Sequence, residues 1–518
     1  MIGVMDDRFV PVERDQLVMV SASLWDGVPE GHLARWVIEV VDRLDLGPLF
    51  EVYPSHAEGG RRAYHPAMML ALLIYAYATG TRSSRRIESA CRTDAAYRLI
   101  AGGQTPDHAT IARFRDTHAE AMAGLFVEVL AVCVELGLGG AELVAVDGTK
   151  IAADASKAQN RGRERLVVLR DQVEEMLADA AERDRDEDGP GGDGGGLSPR
   201  RASAAWQRRD RIDAALARVA DAEAAGQAPR ANVTDPESRL MRAPGGWVQG
   251  YNAQAAATAG GLVIAAEVTQ DGNDVGQLEP MVTALSENLA AVGVSPPALV
   301  LADQGYWSET NAEAAPAGTT LLVDVGHLDE DPGPDPGEEA MDAEWARRRG
   351  IFEREAAGEL SMAQAIAELG LRTARAYELR NRYRQLDAEG LRPRARPAGT
   401  GRAPKPTSGA TQARRAMRRR LDEPGHAAAY KQRGPTIETV FGDTKHNLGY
   451  RTFTRRGLAA CAAEWKLIQL ARNILHTHRR RPGRTDTHTP PATHTTHHRP
   501  RAARYCHHHR PTRHPTRG

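Results

Sequence analysis

Little in this chain would staple it or anchor it. Only four of its 518 residues are cysteine, Cys91, Cys133, Cys461 and Cys506, and no two share a spacing that suggests pairing. That speaks against a zinc site or a disulfide framework, and unpaired thiols fit a reducing cytosol. No stretch approaches the roughly 18 uninterrupted apolar residues of a membrane span, and the acidic, Trp-containing N-terminal stretch lacks a signal-peptide pattern. A cytoplasmic protein with no membrane partner is the expectation. Net charge is lacking too: 67 Lys and Arg against 68 Asp and Glu leave −1, an unpromising balance for binding a polyanion. The balance is uneven, however. Residues 476–518 hold ten arginines and one acid, and further basic clusters stand at Arg82, Arg85 and Arg86 and from Arg414 to Arg420. Such clusters can neutralise phosphates, although a basic run is more often a solvated helix face.

What is present is three acids in informative settings. Asp147 in ELVAVDGTK and Asp303 in ALVLADQGYWSETN end short runs of Val, Leu and Ala that read as buried strands; Glu438 in YKQRGPTIETVFGDTK sits in a segment that reads as helix. Carboxylates at strand ends and on a neighbouring helix can converge on one point. Two hard divalent ions held there, about 4 Å apart, can activate an attacking oxygen and stabilise the leaving oxygen of a phosphodiester displacement. With 68 acids in the chain, any one of them taken singly could equally be a loop or cap residue.

The flanking residues carry more. VDGTKIAADAS around Asp147, LADQGYWSETN around Asp303, and the series Tyr430, Arg433, Glu438 and Lys445 followed by GYRTFTRRGL and a helix with Glu464, Trp465 and Asn473 resemble, in order, the motifs of the DDE transposases of bacterial insertion sequences. The likeness is to the broad insertion-sequence-four superfamily and its eleven-eighty-two-like group. TDPESRLMR, QGYNAQAA and VTQDGNDVGQLEPM resemble the segments between the first two acids, and YHPAMMLALLIYAYATG with TPDHATIARFR resembles the helical DNA-binding region ahead of the catalytic domain. An ordered series over residues 20–475 is far more specific than any lone motif.

The resemblance implies an α/β fold: a ribonuclease-H-like catalytic core, a mixed sheet flanked by helices, with an N-terminal helical domain and two mainly helical insertions. It implies Asp147, Asp303 and Glu438 as catalytic, metal-holding residues for two Mg²⁺ ions, with Mn²⁺ able to substitute. Tyr430, Arg433 and Lys445 would orient the DNA end, although Lys445 could instead pair with Glu438 or Asp443. The partners implied are double-stranded DNA, both transposon ends and target, and a second copy of the chain in a synaptic dimer; when bound, the protein would be associated with the nucleoid.

Along the chain, 20–138 reads as a helical N-terminal DNA-binding domain, in which Thr105 or Asp107 caps a helix presenting Arg113 and Arg115 to DNA or simply to solvent. The catalytic domain spans 139–475, with strands expected at 142–151, 249–259, 262–269, 298–303 and 319–325 and a helix at 276–292. The 156 positions from Asp147 to Asp303 exceed what these elements need. The excess, 162–227, shows two apolar stripes about a Gly-rich turn and reads as a helical hairpin, either bearing on assembly or DNA or simply a passive protrusion. A second insertion, 328–425, opens on an acidic linker and continues as a candidate helix-turn-helix in which Arg372, Arg375 and Arg380 would face DNA; two amphipathic helices packed on the core give the same pattern. Residues 476–518, rich in Arg, His, Thr and Pro, cannot bury a core and are expected to be an unstructured tail. Two rival functions stay open at this point: a non-catalytic DNA-binding regulator, and a ribonuclease-H-like nuclease that cuts without joining.

Overall fold

The computed structural model describes residues 23–53, 63–187, 199–226, 230–243, 245–313, 315–326, 338–370, 376–377, 379–381, 383 and 408–481. The acidic linker at 329–337, Arg372, Arg375 and the tail beyond 481 lie outside these residues.

The N-terminal part is helical where local signals ask for it. Helix α1 (Leu33–Val41) starts at His32, whose ring accepts the Ala34 N–H at 3.1 Å. The next long helix, α2 (Pro66–Ala78), has Pro66 in its first turn, where no N–H is needed. Helix α3 (His108–Thr117) is capped by Asp107, which accepts the Thr110 N–H at 2.9 Å. Helix α4 (Ala119–Cys133) then runs into a π turn at Val134–Leu138. The span Ala119–Leu138 is long and apolar enough to cross a membrane by composition, although Glu120, Glu128 and Glu135 interrupt its apolar run. Leu125, Phe126, Val129 and Leu130 of this helix are buried in the protein core, which accounts for its apolar character.

A six-stranded mixed sheet follows. Strands β1 (Leu143–Ala152), β5 (Gly246–Thr258), β6 (Val263–Thr269), β7 (Leu299–Ala302) and β8 (Thr320–Val323) lie close to the expected positions; β4 (Arg239–Ala243) is an addition. The order is β4-β5-β1-β7-β8, with β6 also on β5. β1 runs antiparallel to β5 and parallel to β7, and β7 is parallel to β8. A two-residue ribbon, β2 (Asn160–Arg161) with β3 (Ala231–Asn232), stands apart. Between β6 and β7 runs α7 (Leu278–Ala291), after the insertion helices α5 (Arg163–Glu187) and α6 (Pro199–Ala224). The apolar triplet Val144–Ala145–Val146 is fully buried, as a central strand covered on both faces must be.

The N-terminal helices do not form a core of their own. Trp36, Leu72 and Val129 belong to one continuous hydrophobic cluster with Val146, Ala256, Leu301 and Trp465. The two insertions do have small cores. In the hairpin Leu166 and Val173 of α5 meet Ile212, Ala215 and Val219 of α6. In the second, α8 (Glu338–Ala356) and α9 (Met362–Leu369) bury Ile351, Phe352, Ala365 and Leu369 with Ala376 and Leu379. Helix α9 ends at Gly370, whose φ of 63° is left-handed and suits glycine, the turn the sequence indicated.

Four helices close the chain: α10 (Ser408–Asp422), α11 (Pro424–Tyr430), α12 (Arg433–Gly442) and α13 (Leu458–Arg480). The last corrects the expected start of the tail. Compositional windows placed it at 476, but α13 continues to Arg480 and buries Thr477 and His478. Trp36 Nε1 donates to Thr477 Oγ1 at 3.2 Å, and the His478 ring meets the Gly31 carbonyl at 2.8 Å. A chain ending at Leu475 should therefore lose roughly 1–3 kcal/mol, the cost of a buried donor left unpaired, read as a lower thermal unfolding midpoint. One ending at Arg481 should unfold like the full chain; equal midpoints for both would return 476–481 to the tail.

Candidate active site

The sheet register sets the site. Ala145 on β1 lies opposite Leu301 on the parallel β7. Asp147 follows two residues further along β1 and Asp303 stands just past the end of β7 at Ala302, which brings the two acids to the same side of the sheet's edge, near enough for the charge of Asp303 to act on Asp147. Asp303 caps the turn Gln304–Tyr306, its Oδ1 accepting the Gly305 N–H at 2.9 Å. Asp147 Oδ1 accepts the Gly148 N–H at 2.7 Å. Burial pushes the Asp147 carboxyl up to about 6, and the charge of Asp303 adds to this. Asp303 is also raised, by burial first and then by Asp274 and Asp324.

One cation relieves the pair. Arg433, the first residue of α12, bonds Asp147 Oδ2 at 3.3 Å and lowers the pKa of both acids. Its neighbours in the third motif are tied to the same strands. Tyr430 donates its hydroxyl at 3.0 Å to the carbonyl of Ala302, the residue before Asp303. Lys445 donates to Thr149 Oγ1 and, at 3.1 Å, to the Lys150 carbonyl, both on β1. Lys445 pairs with neither Glu438 nor Asp443; Asp443 instead faces Arg472 and Arg479. A π turn at Asp443–Asn447 follows α12, so Lys445 does not keep the α-helical phase of Glu438 that a spacing of seven implies.

Glu438 is exposed on α12 and folds back towards Gly434, where an added Cβ would stand 3.2 Å from its Oε1. Among the described residues it has no hydrogen bond or ion pair, and no group of three or more His, Cys, Asp and Glu side chains converges as a metal cage. The donor chemistry nevertheless fits a hard cation: two partly buried carboxylates, each raised by burial and by neighbouring charge, are what Mg²⁺ or Mn²⁺ would neutralise.

The other face of β1 holds an acid that the sequence did not single out. Asp274 Oδ1 accepts from Asn252 Nδ2 at 2.6 Å, Gln254 Nε2 at 2.8 Å and Lys150 Nζ at 3.3 Å. Gln254 in turn accepts the buried Tyr306 hydroxyl from the turn that Asp303 caps. A side chain at position 148 would collide with Gln254, Asp274 and Asn252, which explains the glycine of the VDGTK motif. Asp274 thus links the strand of the first acid to the loop of the second.

The remaining sequence candidates sit away from this cluster. Arg113 is exposed on α3 beside a cavity of about 410 Å³ that Tyr53 and His118 also line. Arg115 points inward to the Arg82 carbonyl at 3.2 Å and the Tyr77 hydroxyl, with its side chain 14% exposed. Arg380 grips Glu355 through two nitrogens and so braces the second insertion.

Two family models match the chain. Residues 23–117 match "Transposase domain (DUF772)" and residues 391–478 match "Transposase DDE domain". The second takes in Tyr430, Arg433, Glu438 and Lys445; Asp147 and Asp303 fall between the two. No curated protein and no solved structure matches. The matches support a DDE-type transposase, and since transposases act on DNA they support DNA as the partner.

Asp147 holds its proton more tightly folded, near 6, than at its ordinary 3.8. Its contribution to stability should therefore be greatest below about pH 4 and decline as pH rises through 6, by at most about 3 kcal/mol. Urea unfolding in chelator should show this slope, and Asp147→Asn should flatten it. Added Mg²⁺ at pH 7 should raise the unfolding midpoint of the wild type but not of Asp147→Asn; equal effects would place the cation elsewhere. Asp274→Ala, which strands Lys150, Asn252 and Gln254, should cost roughly 3 kcal/mol. A change under half a kilocalorie would show that the network does not brace the site.

Proposed function

We propose that this protein is a cut-and-paste DNA transposase that binds the terminal inverted repeats of an insertion sequence and catalyses metal-dependent DNA cleavage and strand transfer. The observation that carries the reading is the meeting of three motifs separated by more than a hundred residues each: Asp147 and Asp303 side by side, with Tyr430, Arg433 and Lys445 bonded to the strands that bear them. Three strands joined antiparallel, a helix, and two strands parallel to the first form the series expected of a ribonuclease-H-like core. Membership of the eleven-eighty-two-like group belongs to the same proposal.

Asp147 and Asp303 would hold the metal, with Glu438 as the third ligand on the helix that Arg433 docks against Asp147. Two Mg²⁺ ions, when bound, supply activation of an attacking water or DNA 3′-hydroxyl and stabilisation of the leaving oxygen. The chain's own part is to fix the two acids together, to exclude water beneath them through Tyr306 and Val146, and to place Arg433 and Lys445 where DNA phosphates would pass. The protein would act as a dimer joining two ends, in the cytoplasm at the nucleoid. A DNA-binding regulator has no use for two partly buried, mutually repelling carboxylates, which weighs against that rival.

Asp147→Ala, Asp303→Ala and Glu438→Ala should each reduce Mg²⁺-dependent cleavage of DNA carrying the inverted repeats beside the gene by at least about a hundredfold, since a lost metal is worth several kcal/mol. Affinity for that DNA should stay within a few-fold. Retained cleavage in any variant would remove that residue from the triad, and cleavage without joining of the 3′ end to a target would favour the nuclease reading.

A further inference from the structure

The helical hairpin supplies one wall of a cleft at the far end of the central strands from the acids. The cleft measures about 750 Å³, within the roughly 300–1,000 Å³ of ligand sites. Its cations come from separate parts of the chain: Lys157 and Arg161 follow β1, Arg218 lies on α6, Arg230 precedes β3 and Arg239 starts β4. No acidic residue is among the described residues that line it, and none of the five forms an ion pair among them. Of the two acids beside Ala222 on the hairpin wall, Asp221 and Glu223, neither lines the cleft, and Glu223 pairs with Arg163 at 2.8 Å. Arg239 is held below its ordinary pKa, by burial first and then by Arg218. A solvated helix face mixes signs along one element; here like charges converge from four segments, and no acid lines the cleft with them.

The same cleft has an apolar side. Trp247 on β5 is 59% exposed and Leu240 on β4 is 48% exposed. The β4–β5 register pairs Leu240 with Gln249 and Arg242 with Trp247, which sets both apolar side chains on one face of the ribbon. Lys157, Arg161 and Arg239 already donate to carbonyl groups of the protein, whereas Arg218 and Arg230 have no hydrogen bond or ion pair among the described residues. A large aromatic left in water beside two such cations is an arrangement with which proteins hold single-stranded nucleic acid, stacking a base while the cations follow the phosphates.

We propose that this cleft binds a DNA strand with at least one unstacked base, Trp247 stacking on the base and Arg218 and Arg230 holding the flanking phosphates. The proposal rests on the transposase reading for the choice of DNA over another polyanion. From Asp147 to Ala152, where β1 meets Gly250 beside the cleft, the strand covers five residues, or roughly 17 Å. The cleft would thus engage DNA several nucleotides from the reacting phosphate and would make the hairpin part of the substrate path.

The test is equilibrium binding of the full chain to a labelled single strand of about 16 nucleotides and to the blunt duplex of the same mixed sequence, over a range of salt. Arg218→Ala with Arg230→Ala should lower the salt slope on the single strand by about 1.4, or 0.7 per phosphate contact. Trp247→Ala should weaken single-strand binding about tenfold, with less loss on the duplex, and Trp247→Phe should restore most of it. Circular-dichroism melts establish that the variants fold, and Arg230→Glu, in an exposed connection, is a charge reversal outside any helix. Unchanged slope and affinity in the arginine variants with wild-type binding intact would overturn the cleft alone. Equal losses on both DNAs for Trp247→Ala would overturn the stacking. A wild type that binds neither DNA would overturn the transposase reading with it.

Discussion

Two partly buried carboxylates of like charge, one on β1 and one just past the end of the parallel β7, are the constraint around which this fold is arranged. Ionised together in a poorly hydrated setting they repel, and nothing in the sheet itself offers relief. The relief comes from 286 residues further along the chain, where Arg433 begins α12 and reaches Asp147. The third motif is therefore docked on the first two by electrostatics, and Tyr430 and Lys445 fix the docking by bonding backbone groups next to the acids rather than the acids themselves. The rest of the C-terminal part follows. Helix α13 packs Trp465 on the Gln254 carbonyl and uses Asn473 to satisfy both the N–H and the C=O of Val263, so the helix that ends the fold also holds the strands on which the acids and their braces depend.

Most of the sheet was legible because β1, β7 and β8 each carry a short apolar run that meets an acid, Asp147, Asp303 or Asp324, and a two-residue period leaves little freedom in where Asp147 must stand. The hairpin was legible from its two stripes. What could not be read had no local signature. Asp274 lies in a polar loop, QDGND, that looks like any other turn; its partners Lys150, Asn252 and Gln254 are brought to it by strand register alone. The π turn after α12 is a single-residue shift in backbone hydrogen bonding with no compositional mark, yet it turns Lys445 from Glu438 towards β1. The start of the tail was missed because a window rich in Arg and His hides two residues, Thr477 and His478, whose polar atoms serve buried partners.

Arginines show most plainly where single-element reading fails. Arg115 and Arg380 stand on helices in patterns that suit DNA, yet each is taken by its own protein: Arg115 by the Arg82 carbonyl and Arg380 by the buried Glu355. An arginine that braces a fold has its acceptors supplied by neighbouring segments, so its direction is decided by tertiary packing and not by helix phase. Five cations gathered from four segments with no acid among the residues that line their cleft are the converse case. Carbonyl groups of the protein accept from Lys157, Arg161 and Arg239, but Arg218 and Arg230 have no such partner among the described residues, and their mutual repulsion is a cost that burial of apolar surface elsewhere must carry. An arrangement of that kind is stable only because water and salt screen it, and a polyanion that displaces both gains what the fold gave up. The acid pair and the basic cleft thus share one logic with opposite sign: each gathers like charge from separate segments, and only the acid pair has an internal counter-charge, Arg433, to offset it.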